Sequence, residues 1–315
     1  MQPPAASVER FRAEWGRLTG AAAGERMLVA LSGGPDSTAL LLLARAALGT
    51  QCTAATVDHG LRPEARREAE QAAALCRDLG VAHAILRGPA GPSTNLQAMA
   101  RDMRYRLLED QADSGAARWI ATAHHADDQL ETIVMRLNRA SGVGGLAGVR
   151  AINGRRVRPL LGWRRAELAA LVHAAGIVAV DDPSNADERF DRVRLRTRLA
   201  QADWLDPVAA SASAAALAEA DAALDWAAER LAGERIVVAA GTAALDPAGI
   251  PFELRRRLVL HCIRCIRADA TPRGVALSRL IVTLESGRQA MIDDVIVHAI
   301  GDRWVFGAAP PRRSL

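Results

Sequence analysis

Residues 27–48 read MLVALSGGPDSTALLLLARAAL, and the middle of this stretch decides the fold. Met27–Leu31 is an apolar run of strand length, Thr38–Leu48 is an apolar run with helical character, and Ser32–Ser37 joins them. Strand, tight glycine turn and helix N-terminus in that order form an anion site, because backbone N–H groups converge there and the helix dipole adds partial positive charge. Gly33 and Gly34 let the main chain approach a phosphate closely and keep positive φ accessible. Ser32 and Ser37 carry hydroxyl donors. Asp36 is the odd member: a carboxylate beside phosphates makes sense mainly when a divalent cation lies between them. The Walker-type loop needs a lysine after its second glycine, and none follows here. An ordinary strand–helix turn is the plainer alternative. The coincidence of strand, both glycines, both serines and the aspartate favours a phosphate loop without the usual γ-phosphoryl chemistry.

Outward from this stretch, strand-like and helical segments alternate. Met27–Leu31, Cys52–Val57, Ala82–Leu86 and Trp119–Ala123 read as strands, while Ser37–Ala47, Pro63–Leu79, Leu96–Ser114 and Ala126–Asn138 have helical spacing. Such alternation predicts an α/β fold, a Rossmann-like parallel sheet with helices on both faces. Ligands of such sheets bind beyond the strand C-termini. Ser32–Ser37, Asp58–Arg62 and His124–Asp128 each follow a strand, so three loops converge on one edge. The glycine-rich stretch Ser141–Gly145 reads as irregular, Leu161–Ala175 as a helix, and Asp182–Asn185 as a turn before an arginine-rich helix. Composition shifts at 202–207, giving an expected catalytic domain over 1–206 and a smaller helix-dominated domain over 207–315. The second domain has helical runs at Ala209–Leu231, Pro251–Arg267 and Ser278–Glu285 and a strand pair around Gly301-Asp302.

The chain's 315 residues, half of them apolar, fit two domains. No run reaches the ~18–20 apolar residues of a membrane span, and the N-terminus lacks the apolar core of a signal peptide. A soluble, cytoplasmic protein is expected. Four cysteines make no disulfide framework at this length. Cys262 and Cys265 fall at i and i+3 of an expected helix, where two small side chains in a core are the better account than a metal or redox pair. All 40 basic residues are arginine, and the net charge is +4. GC-rich codon bias explains most of that. Arginine still suits phosphate and base stacking, so the composition permits an RNA partner without proving one.

Within 122–132, His124, Asp128 and Glu131 fall at i, i+4 and i+7, which on a continuous helix would place an imidazole and two carboxylates on one face. A solvated acidic face is the usual meaning of that spacing. Beside a phosphate loop, the same acids could receive an ammonium group and an acid–imidazole pair could remove its proton.

The SGGPDS string resembles the phosphate loop of the ATP pyrophosphatases. It is followed, in order, by VDHGLR (57–62), NLQAMARDMRY (95–105), TAHHADDQLETIVMRLNRASGVGGLAGV (122–149), RPLL (158–161), RAEL (165–168) and DPSN (182–185). Over about the first 205 residues this set resembles the tRNA(Ile)-lysidine synthetase family. The resemblance implies ATP-dependent ligation of free L-lysine, through its ε-amine, to C2 of the wobble cytidine in the CAU anticodon of tRNA(Ile). The route passes through an adenylated cytidine and changes codon reading from AUG to AUA. It also implies that Ser32, Gly33, Gly34, Pro35, Asp36 and Ser37 hold ATP, with Asp36 on Mg²⁺. Asp128, Glu131 and, more weakly, Asp182 receive lysine. Asp36, His124 and Asp128 are the catalytic set, with His124 or Asp128 as the base. Arg101, Arg104, Arg192, Arg194 and Arg196 are the tRNA candidates. Whether the clusters at 155–158 and 255–257 touch tRNA stays open. So does the oligomeric state, a homodimer being one option. Two rivals stand beside this reading: a tRNA thiolase of the same group, which would call for cysteines at the site, and a non-catalytic RNA- or nucleotide-binding module.

Overall fold

The computed structural model describes residues 2–20, 24–58, 63–88, 96–180 and 191–310. Two compact units are present: 1–139 with 147–215, and 140–146 with 216–315.

The first unit opens with helix α1 (Ala5–Thr19), which buries Phe11 and Trp15. Strand β1 (Arg26–Ala30) follows, then α2 (Pro35–Leu48), β2 (Cys52–Asp58), α3 (Pro63–Asp78), β3 (Ala82–Arg87), α4 (Leu96–Ser114), β4 (Ala117–Ala121) and α5 (Ala126–Leu137). The single turn α6 (Val143–Leu146) belongs to the second unit, and the first resumes with the short strands β5 (Ile152–Asn153) and β6 (Arg156–Val157) and helices α7 (Arg165–Ala174) and α8 (Asp191–Leu199). The sheet order is β3-β2-β1-β4-β6-β5. All neighbours are parallel except β5, which pairs antiparallel with β6. The chain builds outward from β1 to β3, then crosses back to place β4 on the other side of β1. That reversal opens a crevice beyond the carboxyl ends of β1 and β4.

Helix α2 is the spine of this unit. Thr38 through Ala44 are all buried, because α1 and α7 cover the side that the sheet leaves open. One core joins Leu40–Leu43 with Phe11, Trp15, Cys76, Leu168 and Leu171. The opposite face packs Tyr105, Leu108 and Ala112 of α4 against Leu28, Ala55 and Ile120. Helices thus lie on both faces, as expected. The leucine run is apolar all round, as full burial demands. Each buried leucine contributes roughly 1.5–3 kcal/mol relative to exposure.

Local differences from expectation have identifiable causes. The helix expected from Leu161 begins at Arg165, because the Glu167 carboxylate accepts from the Arg164 N–H at 2.7 Å and fixes the first turn there. The glycine-rich stretch contains the turn α6. The turn at 182–185, with Asp182, lies outside the described residues, as do 59–62 and Asn95.

The second unit takes in most of the long helix α9 (Pro207–Arg235), followed by β7 (Ile236–Ala239), β8 (Thr242–Leu245), α10 (Phe252–Ile266), α11 (Gly274–Glu285), β9 (Ala290–Ile292), β10 (Val295–Ile300) and β11 (Arg303–Ala308). The helices match the expected runs, but the unit also holds an antiparallel sheet in the order β7-β8-β11-β10-β9. Its core joins Leu258, Val259 and Cys262 of α10, Leu277 and Ile281 of α11, and Val297 and Phe306 of the sheet. Cys262 sits in this core, as expected, whereas Cys265 is exposed. Burial raises the Cys262 thiol well above its ordinary value.

Candidate active site

The crevice holds a cavity of about 230 Å³ lined by Ala30, Ser32, Asp36 and Ser37 from one side and Thr122, His124 and Asp128 from another. Arg104, Tyr105 and Leu108 of α4 and Arg192 of α8 complete it. Two of the three strand-following loops, Ser32–Ser37 and His124–Asp128, therefore meet at one cavity, while 59–62 of the third lie outside the described residues.

The phosphate loop is built by its own side chains. Pro35 occupies the first turn of α2 and Gly34 is its N-cap. Thr38 N–H donates to the Gly34 carbonyl at 3.0 Å, so the Asp36 and Ser37 N–H groups fall outside the helix's own ladder. The Ser32 and Ser37 hydroxyls lie 3.0 Å apart, and the Ser37 hydroxyl donates to Gly34 O at 3.1 Å. Only Gly33 uses the left-handed region, at φ 86°; Gly34 has φ −71°, so its conformation is open to other residues. A Cβ on Gly33 would stand 3.3 Å from Val180 Cγ2, and Val180 N–H donates to Gly33 O at 3.0 Å.

Opposite this loop, β4 ends and α5 begins, and here the expected spacing is corrected. His124 precedes the helix, so it does not share a helical face with Asp128 and Glu131. The reason is the cap: His125 is the N-cap residue, its Nδ1 accepting from Asp128 N–H at 3.3 Å while its own N–H donates to Asp128 Oδ2 at 3.2 Å. His124 instead sits against Thr122, Nδ1 to Oγ1 at 3.1 Å, and lines the cavity.

His125 is the buried centre of an acidic group. Its Nε2 lies 3.5 Å from Asp36 Oδ2 and 3.5 Å from Asp128 Oδ2, and its Nδ1 lies 3.6 Å from Asp127 Oδ2. Burial pushes the imidazole toward its neutral form. The hydrogen bond with Asp36 and the charges of Asp128, Asp36 and Asp127 outweigh burial, and the net direction is upward. Asp127 faces α7 instead of the cavity, accepting from Arg165 N–H at 2.7 Å and from the Arg164 guanidinium at 3.2 Å. Burial raises its pKa, but these donors more than reverse that, so it stays below the ordinary carboxylate range.

Glu131 is 3% exposed, and both its oxygens are engaged: Arg192 Nε to Oε2 at 2.7 Å and Arg196 Nε to Oε1 at 2.7 Å. Arg192 also reaches Asp128 Oδ1 at 3.1 Å. Burial would raise the Glu131 pKa; hydrogen bonds from Arg196 and Arg192 override it and hold the carboxyl below its usual range. The two acids assigned to a lysine ammonium thus already hold guanidinium groups from α8. Two of the arginines assigned to tRNA, 192 and 196, are turned onto those acids, while Arg194 is exposed.

Of the remaining candidates, Arg104 lines the cavity with its guanidinium 5.8 Å from the Tyr105 ring centre. Arg101 lies on α4, its side chain outside the described residues. Arg155 bonds Asp113 and backbone carbonyls, Arg156 lies 4.5 Å over Tyr105, and Arg158 is buried. Arg255, Arg256 and Arg257 pair with Glu285, Glu253, Asp221 and Asp225. Sequence reasoning missed His125 as the pivot and Gln129 as a clamp on the following loop, its amide bonding Val149 at 2.6 and 3.0 Å. Their signal was only that they adjoin the motif residues.

The residues present fit a Mg²⁺ ion. Asp36 Oδ1 is buried in the loop with no hydrogen-bond partner, the condition of an oxygen reserved for a ligand. Among the described residues no group of three or more His, Cys, Asp and Glu side chains forms a ready-made metal cage. Mg²⁺ bound with a nucleotide does not require one, since one or two carboxylates and the phosphates suffice.

Comparison with known proteins agrees with this geometry. Residues 7–203 match the PP-loop domain family. The chain is 44% identical to the tRNA(Ile)-lysidine synthase of Novosphingobium aromaticivorans, over 98% of this chain and 95% of that protein. It is 40% identical to that of Zymomonas mobilis, covering 91% and 89% of the two chains. Among solved structures, the U34-tRNA thiolase of Methanococcus maripaludis with its [4Fe-4S] cluster superposes with a TM-score of 0.55 at 15% identity, over 67% of this chain and 77% of that one. That last likeness is one of fold. The sheet, the phosphate loop and near-full-length identity at this level agree: the chain belongs to the tRNA(Ile)-lysidine synthase family and carries its PP-loop domain.

Proposed function

We propose that this protein ligates free L-lysine to C2 of the wobble cytidine of tRNA(Ile) bearing a CAU anticodon, using ATP and releasing AMP and pyrophosphate. The observation that carries the reading is one cavity bounded by the phosphate loop with Asp36 and by His124 and Asp128 where β4 passes into α5. In the first step the cytidine C2 oxygen attacks the α-phosphorus of ATP and pyrophosphate leaves. Ser32, Gly33, Gly34 and Ser37, with the N–H groups at the start of α2, receive phosphate oxygens. Asp36 would hold a Mg²⁺ ion, which would supply positive charge to the phosphates. In the second step the lysine ε-amine attacks C2 and AMP departs. That amine has an ordinary pKa of ~10.4, so it must lose a proton before attack.

Asp128 and Glu131 are the receptor for the lysine ammonium. Asp128, at the cavity wall, is the member lysine meets, its ammonium taking the place of the Arg192 guanidinium that reaches Asp128 Oδ1 at 3.1 Å, with Glu131 behind it. His124 or Asp128 takes the proton. Arg104, with Tyr105 behind it, faces the nucleotide or its phosphates. Arg194 is the member of α8 best placed for the tRNA backbone. Asp182 remains a third acid for lysine.

Incubation with ATP, Mg²⁺, labelled lysine and a tRNA(Ile) transcript bearing CAU tests the reading. Lysidine, AMP and pyrophosphate should appear in equal amounts. Failure to make AMP with all reactants present would defeat it.

A further inference from the structure

His125 does not line the cavity, yet it touches the acids on both sides of it. Its side chain is 3% exposed. Nδ1 is occupied as the acceptor of Asp128 N–H, which leaves the ring proton on Nε2. Nε2 stands 3.5 Å from Asp36 Oδ2 and 3.5 Å from Asp128 Oδ2. Asp36 comes from the first turn of the helix after β1, and Asp128 from the helix after β4, the two neighbouring strands at the switch point. Without an intervening donor, two carboxylates facing one another here would repel. The α5 end of this bridge is anchored, because Asp127 is tied to α7 through Arg164 and Arg165.

We propose that His125 is a positioning residue for both half-reactions, its Nε2–H bridging the phosphate-side carboxylate of Asp36 and the amine-side carboxylate of Asp128. The proposal rests on the ligase reading above. The ring sets where Asp36 stands for phosphate transfer and where Asp128 stands for the incoming amine, and it does so without meeting either substrate. The adjacent His124, at the cavity wall, is the histidine placed to exchange protons with substrate. The two histidines therefore divide the work: one faces the reactants, and the other holds the acids in register.

Two substitutions separate bridge from cap. Asparagine reproduces the Nδ1 acceptor and is among the best N-cap residues, but its amide stops short of Asp36. Glutamine reproduces the Nε2 donor and reaches further, but is a poor cap. Pyrophosphate release from ATP and tRNA without lysine reads the first half-reaction, KM for lysine reads the second, and thermal unfolding reads the cap. H125N should keep its melting temperature within about 2 °C, and lose pyrophosphate release about tenfold while KM for lysine rises about fivefold. H125Q should melt lower yet keep both readouts within about threefold of wild type. A purely structural role predicts the reverse order of damage. H125N at wild-type level in either half-reaction overturns the proposal, and so does H125Q impaired as severely as H125N. An inactive wild-type protein would instead defeat the ligase reading, and this one with it, so the two failures are distinguishable.

Discussion

Two adjacent glycines in the phosphate loop look equivalent in sequence and differ in physics. Gly33 has φ 86° and meets Val180; Gly34 has φ −71°, and a Cβ there would find only Ser32 Oγ at 3.7 Å and Val180 O at 3.9 Å. An L-residue in the left-handed region costs about 1–2 kcal/mol, and the Val180 contact adds to it. Gly33→Ala should therefore lower the melting temperature and raise KM for ATP more than Gly34→Ala, as unfolding and steady-state kinetics on both variants will measure. At Glu131 the sign is set by charge. Its carboxyl is held below the usual range because hydrogen bonds from Arg196 and Arg192 outweigh burial. A depressed folded value stabilises the protein above the unfolded value and is lost as pH falls through the folded one. Glu131→Gln leaves two guanidinium groups over a neutral amide, which should cost about 2 kcal/mol or more at neutral pH. The gap between wild type and variant should narrow on acidification, read as denaturant midpoints across the acid range. A gap that widens toward low pH would contradict the ion-pair account.

Helix α8 has an inner and an outer face. Arg192 and Arg196 point at Glu131 and Asp128, while Arg194 is exposed. Arg196→Ala should destabilise the protein by uncovering Glu131. Arg194→Ala should weaken tRNA affinity and reduce the slope of log affinity against log salt by about one contact's worth. Equal salt slopes for wild type and Arg194→Ala would remove that arginine from the tRNA surface. Legibility divides along similar lines. Apolar strands and the apolar run Ala39–Ala44 of α2 read directly from the sequence, and the phosphate loop from its residue types. The i, i+4, i+7 pattern of His124, Asp128 and Glu131 misled, because a capping histidine restarts the helix count at Ala126. The inward turn of Arg192 and Arg196 depends on how α8 meets α5, which no local pattern encodes. In the second unit, β7–β8 turns at Ala240-Gly241 and β9–β10 at Asp293-Asp294, all four at positive φ. Such hairpins normally advertise themselves with Asn-Gly or Asp-Gly. The Gly301-Asp302 hairpin did carry a glycine signal and was legible.

At the scale of the molecule, the remaining alternative is sulfur chemistry on the same fold, since a tRNA thiolase shares it. The distribution of thiols argues the point. Cys52 and Cys76 are buried in the core around α2, and burial pushes both to about 12. A thiol must ionise to act as a nucleophile or metal ligand, so these two are inert. Cys262 is buried in the second unit's own core, and Cys265 is exposed on the same helix. Among the described residues no cysteine lines the cavity beside the phosphate loop. What the cavity does contain is carboxylate and imidazole, the groups that receive and deprotonate an amine. Replacing all four cysteines by alanine should lower stability, chiefly through the small voids at Cys52, Cys76 and Cys262, each costing about 1 kcal/mol. The same protein should retain lysine-dependent AMP release within about twofold at a temperature where it is folded. If the cysteine-free protein is folded by circular dichroism yet makes no lysidine, a thiol takes part in the reaction and the acid-lined cavity is not sufficient for it.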